Sequence, residues 1–137
     1  MAERLEVRAR LVGRYHATVR ARDHVIEVDE PPTAGGTDRG MMPTEVFCAA
    51  LASCFALAVG YVARKRDLEA PGLEVVVEAE RAGTELRYGR IVVTTTAALA
   101  PEVLATLVER ARRVCWVSNT LAGDAAVEYR FTSLDGR

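Results

Sequence analysis

One apolar stretch decides the fold of this chain. Residues 43–66 have the sequence PTEVFCAALASCFALAVGYVARKR, and no charged residue lies between Val46 and Val62. Pro43 suits the first position of a helix, and Glu45 in the first turn favours the positive end of the helix dipole. The uncharged part reaches only the lower limit of membrane-spanning length and is rich in small residues. The stretch therefore predicts a buried core helix from about Pro43 to Arg66.

This central helix is apolar on all its sides. A helix of that kind must be covered all round by other protein surfaces. One small sheet cannot provide that cover, so we expect a second subunit to supply the rest.

The residues before the central helix predict a small sheet. Polar and apolar residues alternate over residues 5–11 and 15–22, and a third short run covers residues 25–28. Alternation with a period of two is typical of half-buried strands, and short connections predict an antiparallel meander. Pro31 and Pro32 end the sheet, and the glycine-containing segment 33–42 is predicted to be a loop.

The residues after the central helix predict two strands, a helix and a last strand. The strands cover residues 73–80 and 87–97, and Pro101 begins a helix with one apolar stripe. The stripe comprises Val103, Leu104, Leu107, Val108 and Ala111. Val127, Tyr129 and Phe131 mark the last strand. The order β-β-β-α-β-β-α-β is that of an α+β fold, in a single domain over residues 1–137.

Composition and charge exclude several functional classes. The net charge is −1 and the isoelectric point about 6.1, so no basic excess indicates binding to nucleic acid or to an anionic membrane. The first five residues include charges and no apolar stretch follows them, which predicts no signal peptide and a cytoplasmic protein. Cysteines in that compartment are expected to be reduced.

The three cysteines are the strongest candidates for chemistry. The chain has no phosphate-binding loop, no Ser-His-Asp set and no CxxC pair, and its two histidines lack a metal-ligand spacing. Cys54 in the apolar helix suits inert packing and a reactive site equally well. Cys48 lies about 120° away around the helix, so packing is the better interpretation for it. Cys115 follows three arginines. If their side chains face the sulfur, they favour the reactive thiolate; if they face solvent, they have no effect on it.

Four segments together resemble the OsmC/Ohr family, the osmotically inducible and organic-hydroperoxide-resistance proteins. They are Gly35-Gly36, Pro43–Phe47, Ala52–Phe55 and Cys115–Leu121. The resemblance implies an OsmC/Ohr-like fold with a buried central helix in an intertwined homodimer. It also implies a cysteine-based peroxidase that reduces organic hydroperoxides without haem, flavin or metal. Cys54 would be the peroxidatic thiol, Cys115 would resolve its sulfenic acid as a disulfide, and a dithiol, often on a lipoylated protein in this family, would restore both.

The resemblance further implies a cation beside the peroxidatic sulfur. The family uses an arginine of the N-terminal hairpin, held by a glutamate at the head of the central helix. Arg14 matches that arginine, with Arg22 as the alternative, and Glu45, one residue beyond the family's position, is the candidate for the glutamate. Glu45 is nearly as well explained as a solvated helix-start residue.

Two positions depart from the hydroperoxide-resistance pattern. Thr44 stands where that branch has its glutamate, and Trp116 stands where a proline is common. These departures indicate a divergent OsmC-like branch. They also leave a second hypothesis open, a non-catalytic dimer of this fold that binds an apolar small molecule at its interface.

Overall fold

A computed structural model describes residues 4–135. Strands β1 (Arg8–Leu11), β2 (Ala17–Ala21) and β3 (His24–Val28) form an antiparallel sheet in that order. The register pairs Leu11 with Ala17 across β1 and β2, and Ala17 with Val28 across β2 and β3. The predicted meander is confirmed. Most residues of the central strand β2 are half-buried, whereas all of β1 and all of β3 except Val28 are exposed.

The next four elements follow in the predicted order. Helix α1 (Pro43–Lys65) is continuous, and β4 (Glu74–Arg81) and β5 (Tyr88–Thr96) form a second, two-stranded sheet. Helix α2 (Pro101–Val114) is followed after one residue by the short helix α3 (Trp116–Ala122). Along β4 the apolar residues Val75, Val77 and Ala79 are half-buried and their neighbours are exposed. The α+β class is therefore confirmed.

The chain divides into two compact units. The first comprises the residues up to Ala52 together with Val77–Val93, and the second comprises Ser53–Val76 together with the residues from Thr94 onwards. In the second unit, Leu107 and Ala111 of α2 and the following Cys115 are completely buried. Their spacing of four residues explains this, because residues four apart lie on the same face of a helix.

One chain leaves part of the central helix uncovered, as the sequence predicts. Helix α1 is long and apolar enough to span a membrane, a test that core helices also pass, yet only 33% of its most apolar window is buried. Leu51, Phe55 and Val59 lie on the buried face, whereas Leu57 is 75% exposed. One chain thus covers one face of α1. The apolar composition of the helix was read correctly, but coverage depends on surfaces that the chain alone does not supply.

The prediction of a last strand is wrong. Residues 125–133 have no regular secondary structure, and Tyr129 and Phe131 are 91% and 97% exposed. The alternation of apolar residues there is typical of a strand. A strand nevertheless needs a neighbour to pair its backbone N–H and C=O groups, and the described residues place none beside this segment.

Candidate functional site

Cys115 occupies the single residue between α2 and α3. Its backbone is extended, with φ −86° and ψ 107°, so it ends one helix and precedes the next. The backbone N–H of Asn119 and the hydroxyl of Ser118 donate to its carbonyl oxygen at 3.0 Å and 3.2 Å. The side-chain amide of Asn119 donates to the carbonyl of Arg113 at 3.2 Å.

These contacts explain the local sequence around Cys115. The last carbonyls of a helix have no partners within it, and side chains that donate to them end the helix at a defined residue. Ser118 and Asn119 do this for α2, and they hold Cys115 in the buried stripe that begins at Leu107. The side chain of Cys115 has no exposed surface. Chemistry at this sulfur therefore requires a local opening of the α2–α3 junction.

Cys54 lies at the border of the buried face of α1. Its neighbours Phe55 and Ala58 are buried, Ser53 and Leu57 are exposed, and Cys54 itself is half-buried. One chain therefore encloses Cys54 only in part. All three cysteines are free thiols, and Cys54 and Cys115 both belong to the second compact unit. A half-buried thiol is accessible to a small reagent, whereas Cys115 is not.

Glu45 has a defined task at the start of α1. Its carboxylate accepts a hydrogen bond from the backbone N–H of Met42 at 2.9 Å, while the carbonyl of Met42 accepts the first helical bond from Val46. This is half of a capping box, in which the third helical residue satisfies the N–H of the capping residue. Glu45 is exposed and makes no salt bridge to any described residue.

A cavity of about 400 Å³ lies beside Glu45 in the first unit. Cys48 and Tyr88 contribute a thiol and a phenol to its wall, together with small apolar residues of α1 and β4. Cys48 is therefore half-buried in a cavity wall rather than packed in a core.

Arg14 and Arg22 lie at opposite ends of the first sheet. Arg14 is in the connection from β1 to β2, and Arg22 is in the tight turn from β2 to β3 with a φ of 54°. The segment that leads to α1 starts at the Arg14 end, because Met41 bridges to Val28, the last residue of β3. Arg14 therefore shares one end of the sheet with the approach to α1.

The guanidinium carbon of Arg14 lies 5.4 Å from the centroid of the Tyr15 ring. This distance is within the range of a cation–π contact. The salt bridges of the described residues do not include Arg14.

Asp29 is the one charged residue buried in the described part of the chain, at 1% exposure. Its carboxylate accepts the hydroxyl of Thr37 at 2.7 Å and the backbone N–H groups of Glu30, Arg39 and Thr37 at 2.8, 3.1 and 3.4 Å. The hydrogen bond from Thr37 is the largest cause that lowers the pKa of Asp29 to about 2, against the opposing effect of burial.

Comparison with known proteins identifies the family. The model of the family described as OsmC-like protein matches residues 36–130. The chain belongs to the OsmC-like family. Comparison with curated protein sequences gives no significant match.

Solved structures of this family share the fold of the chain. An OsmC-like protein from Mycoplasma pneumoniae is 17% identical with a TM-score of 0.77, and 90% of each chain is covered. An organic hydroperoxide resistance protein from Legionella pneumophila is 23% identical with a TM-score of 0.67, covering 90% of this chain and 92% of that one. The organic hydroperoxide resistance protein OhrB of Bacillus subtilis is 26% identical with a TM-score of 0.62, covering 88% and 92%. The resemblance to OsmC/Ohr proteins is confirmed.

The predicted site residues of this OsmC-like protein divide between its two units. Arg14 and Glu45 belong to the first unit, and Cys54 and Cys115 belong to the second. No group of three or more potential metal ligands occurs within the range 4–135.

Two features of this OsmC-like protein were missed from the sequence. The cavity beside Cys48 depends on β4 and β5, which no local pattern places next to α1. The role of Asp29 had a weak signal, a carboxylate at a strand end before a loop rich in proline and glycine. Such residues are typical of turns in which a side chain binds nearby backbone N–H groups.

Proposed function

We propose that this OsmC-like protein is a thiol-dependent peroxidase for organic hydroperoxides. The observation that carries the proposal is the pair of unpaired thiols in the second unit, of which Cys54 is half-buried and Cys115 is enclosed. Solved proteins of the same fold that are named organic hydroperoxide resistance proteins support the substrate class. A peroxidatic thiol must be reachable by its substrate, and Cys54 meets that condition.

The proposed reaction balances with thiols alone. The Cys54 thiolate attacks one oxygen of ROOH, the O–O bond breaks, and the leaving alkoxide takes a proton to become ROH. The sulfur is then a sulfenic acid. The Cys115 thiol attacks this sulfur, water leaves, and a Cys54–Cys115 disulfide forms. A dithiol reductant, such as a lipoyl group, reduces the disulfide by exchange and becomes a disulfide itself. The cycle needs a reducing compartment, so we place it in the cytoplasm.

We further propose that Arg14 supplies the cation for this reaction. A guanidinium group favours the attacking thiolate and the departing oxyanion. One feature supports Arg14 rather than Arg22: Arg14 lies at the end of the sheet from which the chain leads to α1. Glu45 is proposed to hold this arginine in addition to capping α1.

We also propose that the protein is a homodimer. Two of the exposed surfaces of the described residues are apolar: one face of α1 around Leu57, and the alternating residues of segment 125–133. A second copy of the chain would cover the exposed face of α1 and pair with segment 125–133. Exposed apolar patches and unpaired strand-like segments favour such association. Sedimentation equilibrium is expected to give twice the monomer mass, and a stable monomer would contradict the proposal.

Hydroperoxide turnover tests the peroxidase directly. Consumption of cumene hydroperoxide is followed with dihydrolipoamide as the reductant, for wild type, Cys54→Ser and Cys115→Ser. Wild type is expected to turn over and Cys54→Ser to be inactive. Cys115→Ser is expected to form one sulfenic acid per chain, detected by trapping and mass analysis, without forming the intramolecular disulfide. An inactive wild type, or a Cys54→Ser variant with full activity, would contradict the proposal.

The cavity beside Cys48 favours one alternative, the binding of an apolar small molecule without catalysis. Its wall includes the small apolar residues Ala49, Ala52, Val77 and Ala79, and its volume suits a small ligand. Titration with a fluorescent fatty acid, in wild type and in Ala79→Phe, tests this alternative. Saturable binding that Ala79→Phe removes, together with an inactive wild type, would favour it over the peroxidase.

A further inference from the structure

The segment from Glu30 to Arg39, here called the Asp29 loop, folds around one carboxylate. All four donors to Asp29 come from this segment, and three of them are backbone N–H groups. A buried carboxylate with several hydrogen bonds to backbone N–H groups fixes the conformation of the chain that donates them. Asp29, which is 1% exposed, thus fixes the course of this ten-residue segment.

The two glycines of the Asp29 loop leave no space for other residues. A Cβ atom on Gly36 would lie 1.9 Å from the carbonyl oxygen of Glu30 and 2.8 Å from Oδ1 of Asp29. Gly35 has a φ of 91°, a conformation that L side chains rarely adopt. The loop therefore lies directly against the carboxylate, and its shape depends on Asp29.

The Tyr15 ring rests on the Asp29 loop. A Cβ atom on Gly35 would lie 3.0 Å from Cε2 of Tyr15, so the ring packs on the glycine itself. The same ring carries the guanidinium group of Arg14 at 5.4 Å. The contacts form one continuous series from the carboxylate of Asp29, through Gly36 and Gly35, to Tyr15 and Arg14.

The series ends at an open cavity of about 420 Å³ in the first unit. Arg14, Tyr15, Gly35 and Thr37 contribute to its wall, and Asp29 is also part of it. Asp29 and Arg14 make no salt bridge with each other among the described residues. The contacts that connect Asp29 to Arg14 therefore run through the loop and the ring.

We propose that Asp29 is a positioning residue for Arg14, because it holds the Asp29 loop as the platform on which the Tyr15 ring orients the guanidinium group. The inference deepens the proposed function, since Arg14 is the cation proposed for the peroxidase. Positioning carries large effects in catalysis, because a displacement of about 1 Å costs roughly 100-fold in rate.

A spectroscopic measurement tests the inference without activity. The aromatic ring of Tyr15 displaces the resonance of the Arg14 Nε–H group in a ¹⁵N–¹H spectrum, assigned by its loss in Arg14→Gln. Asp29→Asn and Thr37→Val are expected to move this resonance towards the position of free arginine. Thr37→Ser keeps the hydroxyl donor, and Asp38→Asn makes the same chemical change at an exposed loop position with a φ of 56°. Both controls are expected to leave the resonance in place.

A kinetic measurement tests the link to the peroxidase. Arg14→Gln and Asp29→Asn are each expected to lower hydroperoxide turnover by roughly 100-fold. The double variant is expected to be no slower than Arg14→Gln, because positioning has no effect once the positioned group is absent. Thr37→Val is expected to lower turnover and Thr37→Ser to restore it. Thermal unfolding is measured for every variant. If Asp29→Asn does not fold, the result for Thr37→Val tests the proposal in its place.

The outcomes separate the two proposals. An unmoved Arg14 resonance in folded Asp29→Asn or Thr37→Val would overturn the positioning role, whether or not wild type consumes hydroperoxide. Losses that multiply in the double variant would also overturn it, since they would indicate independent roles. If wild type is inactive but the Arg14 resonance moves as expected in Asp29→Asn and Thr37→Val, the positioning role is supported and only the peroxidase is contradicted.

Discussion

Asp29 and Cys115 are both enclosed almost completely, but their surroundings differ. Asp29 lies in the first unit among four hydrogen-bond donors, which satisfy its carboxylate and fix the segment that supplies them. Cys115 lies in the second unit on the apolar stripe of Leu107 and Ala111. The backbone carbonyl of Cys115 accepts hydrogen bonds from the Ser118 hydroxyl and the Asn119 backbone N–H. The carboxylate is thus held by its own contacts, whereas the thiol is held by its backbone and by packing.

The comparison indicates two uses of burial. A buried carboxylate with a full set of hydrogen bonds makes a rigid support, because breaking those bonds would leave a buried ionised group without partners. A buried thiol is a small apolar group that remains able to react when the surrounding helices open. The predictions below test this difference, beginning with the largest expected effect.

Removing the packing around Cys115 is expected to have the largest effect on stability. Leu107→Ala leaves a cavity in the buried stripe, so the free energy of unfolding is expected to fall by about 2–5 kcal/mol. Labelling of Cys115 by a thiol reagent is expected to become faster at the same time. Denaturant unfolding and timed labelling measure the two effects. Leu86→Ala is the matched control, because Leu86 is exposed; equal effects of the two variants would contradict a packed Cys115.

Acid is expected to remove the contribution of Asp29 to stability. The pKa of Asp29 is lowered in the folded state from 3.8 to about 2, so ionisation of this residue stabilises the fold. This contribution is fully present above pH 3.8 and is lost as the pH falls through about 2. The difference in unfolding free energy between wild type and Asp29→Asn is therefore expected to shrink over that interval. A difference that stays constant with pH, as expected for Asp38→Asn, would contradict the prediction.

Weakening the junction at Cys115 is expected to have a moderate effect. Asn119→Ala removes the side-chain hydrogen bond to the carbonyl of Arg113, which is expected to cost about 1 kcal/mol. The junction then opens more often, so labelling of Cys115 is expected to accelerate. Thr120→Ala is the control, because that hydroxyl bonds only to Trp116 within α3. Faster labelling in Thr120→Ala than in Asn119→Ala would contradict this role of Asn119.

Changing the third cysteine is expected to have the smallest effect. Cys48→Ala alters a half-buried cavity wall, so the free energy of unfolding is expected to change by less than about 1 kcal/mol. Hydroperoxide turnover is expected to remain at the wild-type rate, and peroxide-treated protein is expected to contain the Cys54–Cys115 disulfide. A disulfide that includes Cys48, found by non-reducing mass analysis, would contradict the proposed pairing.

Local patterns were sufficient for most of the fold. The alternation in β1 to β4 and the apolar stripe of α2 predicted these elements, because strand and helix periods are set by the backbone of each element itself. The same reasoning failed at residues 125–133, where the pattern indicates a strand but a strand needs a neighbour. The apolar composition of α1 indicated that one chain cannot cover the helix, but it did not indicate which face stays exposed, since the burial of an apolar face depends on what packs against it.

The candidate site was predicted only in part. Local sequence marked Cys54 and Cys115 as candidate thiols, and Glu45 as the first-turn residue that was found to cap α1. It did not identify Asp29, whose partners Thr37 and Arg39 lie eight and ten residues further along the chain. Hydrogen bonds of that span depend on how the loop folds back, and no periodic pattern encodes such a return.

The sequence by itself determined most of the elements, the α+β class and the membership of the OsmC-like family. These follow from local periodicity, from residues that begin and end helices, and from the order of short motifs. Only the tertiary structure decided that Cys115 is enclosed and Cys54 half-buried, and that Asp29 supports the loop under Tyr15. The physical reason is that exposure and hydrogen bonding are properties of the segments that meet in space. A residue type and its neighbours in the chain do not specify which segments those will be.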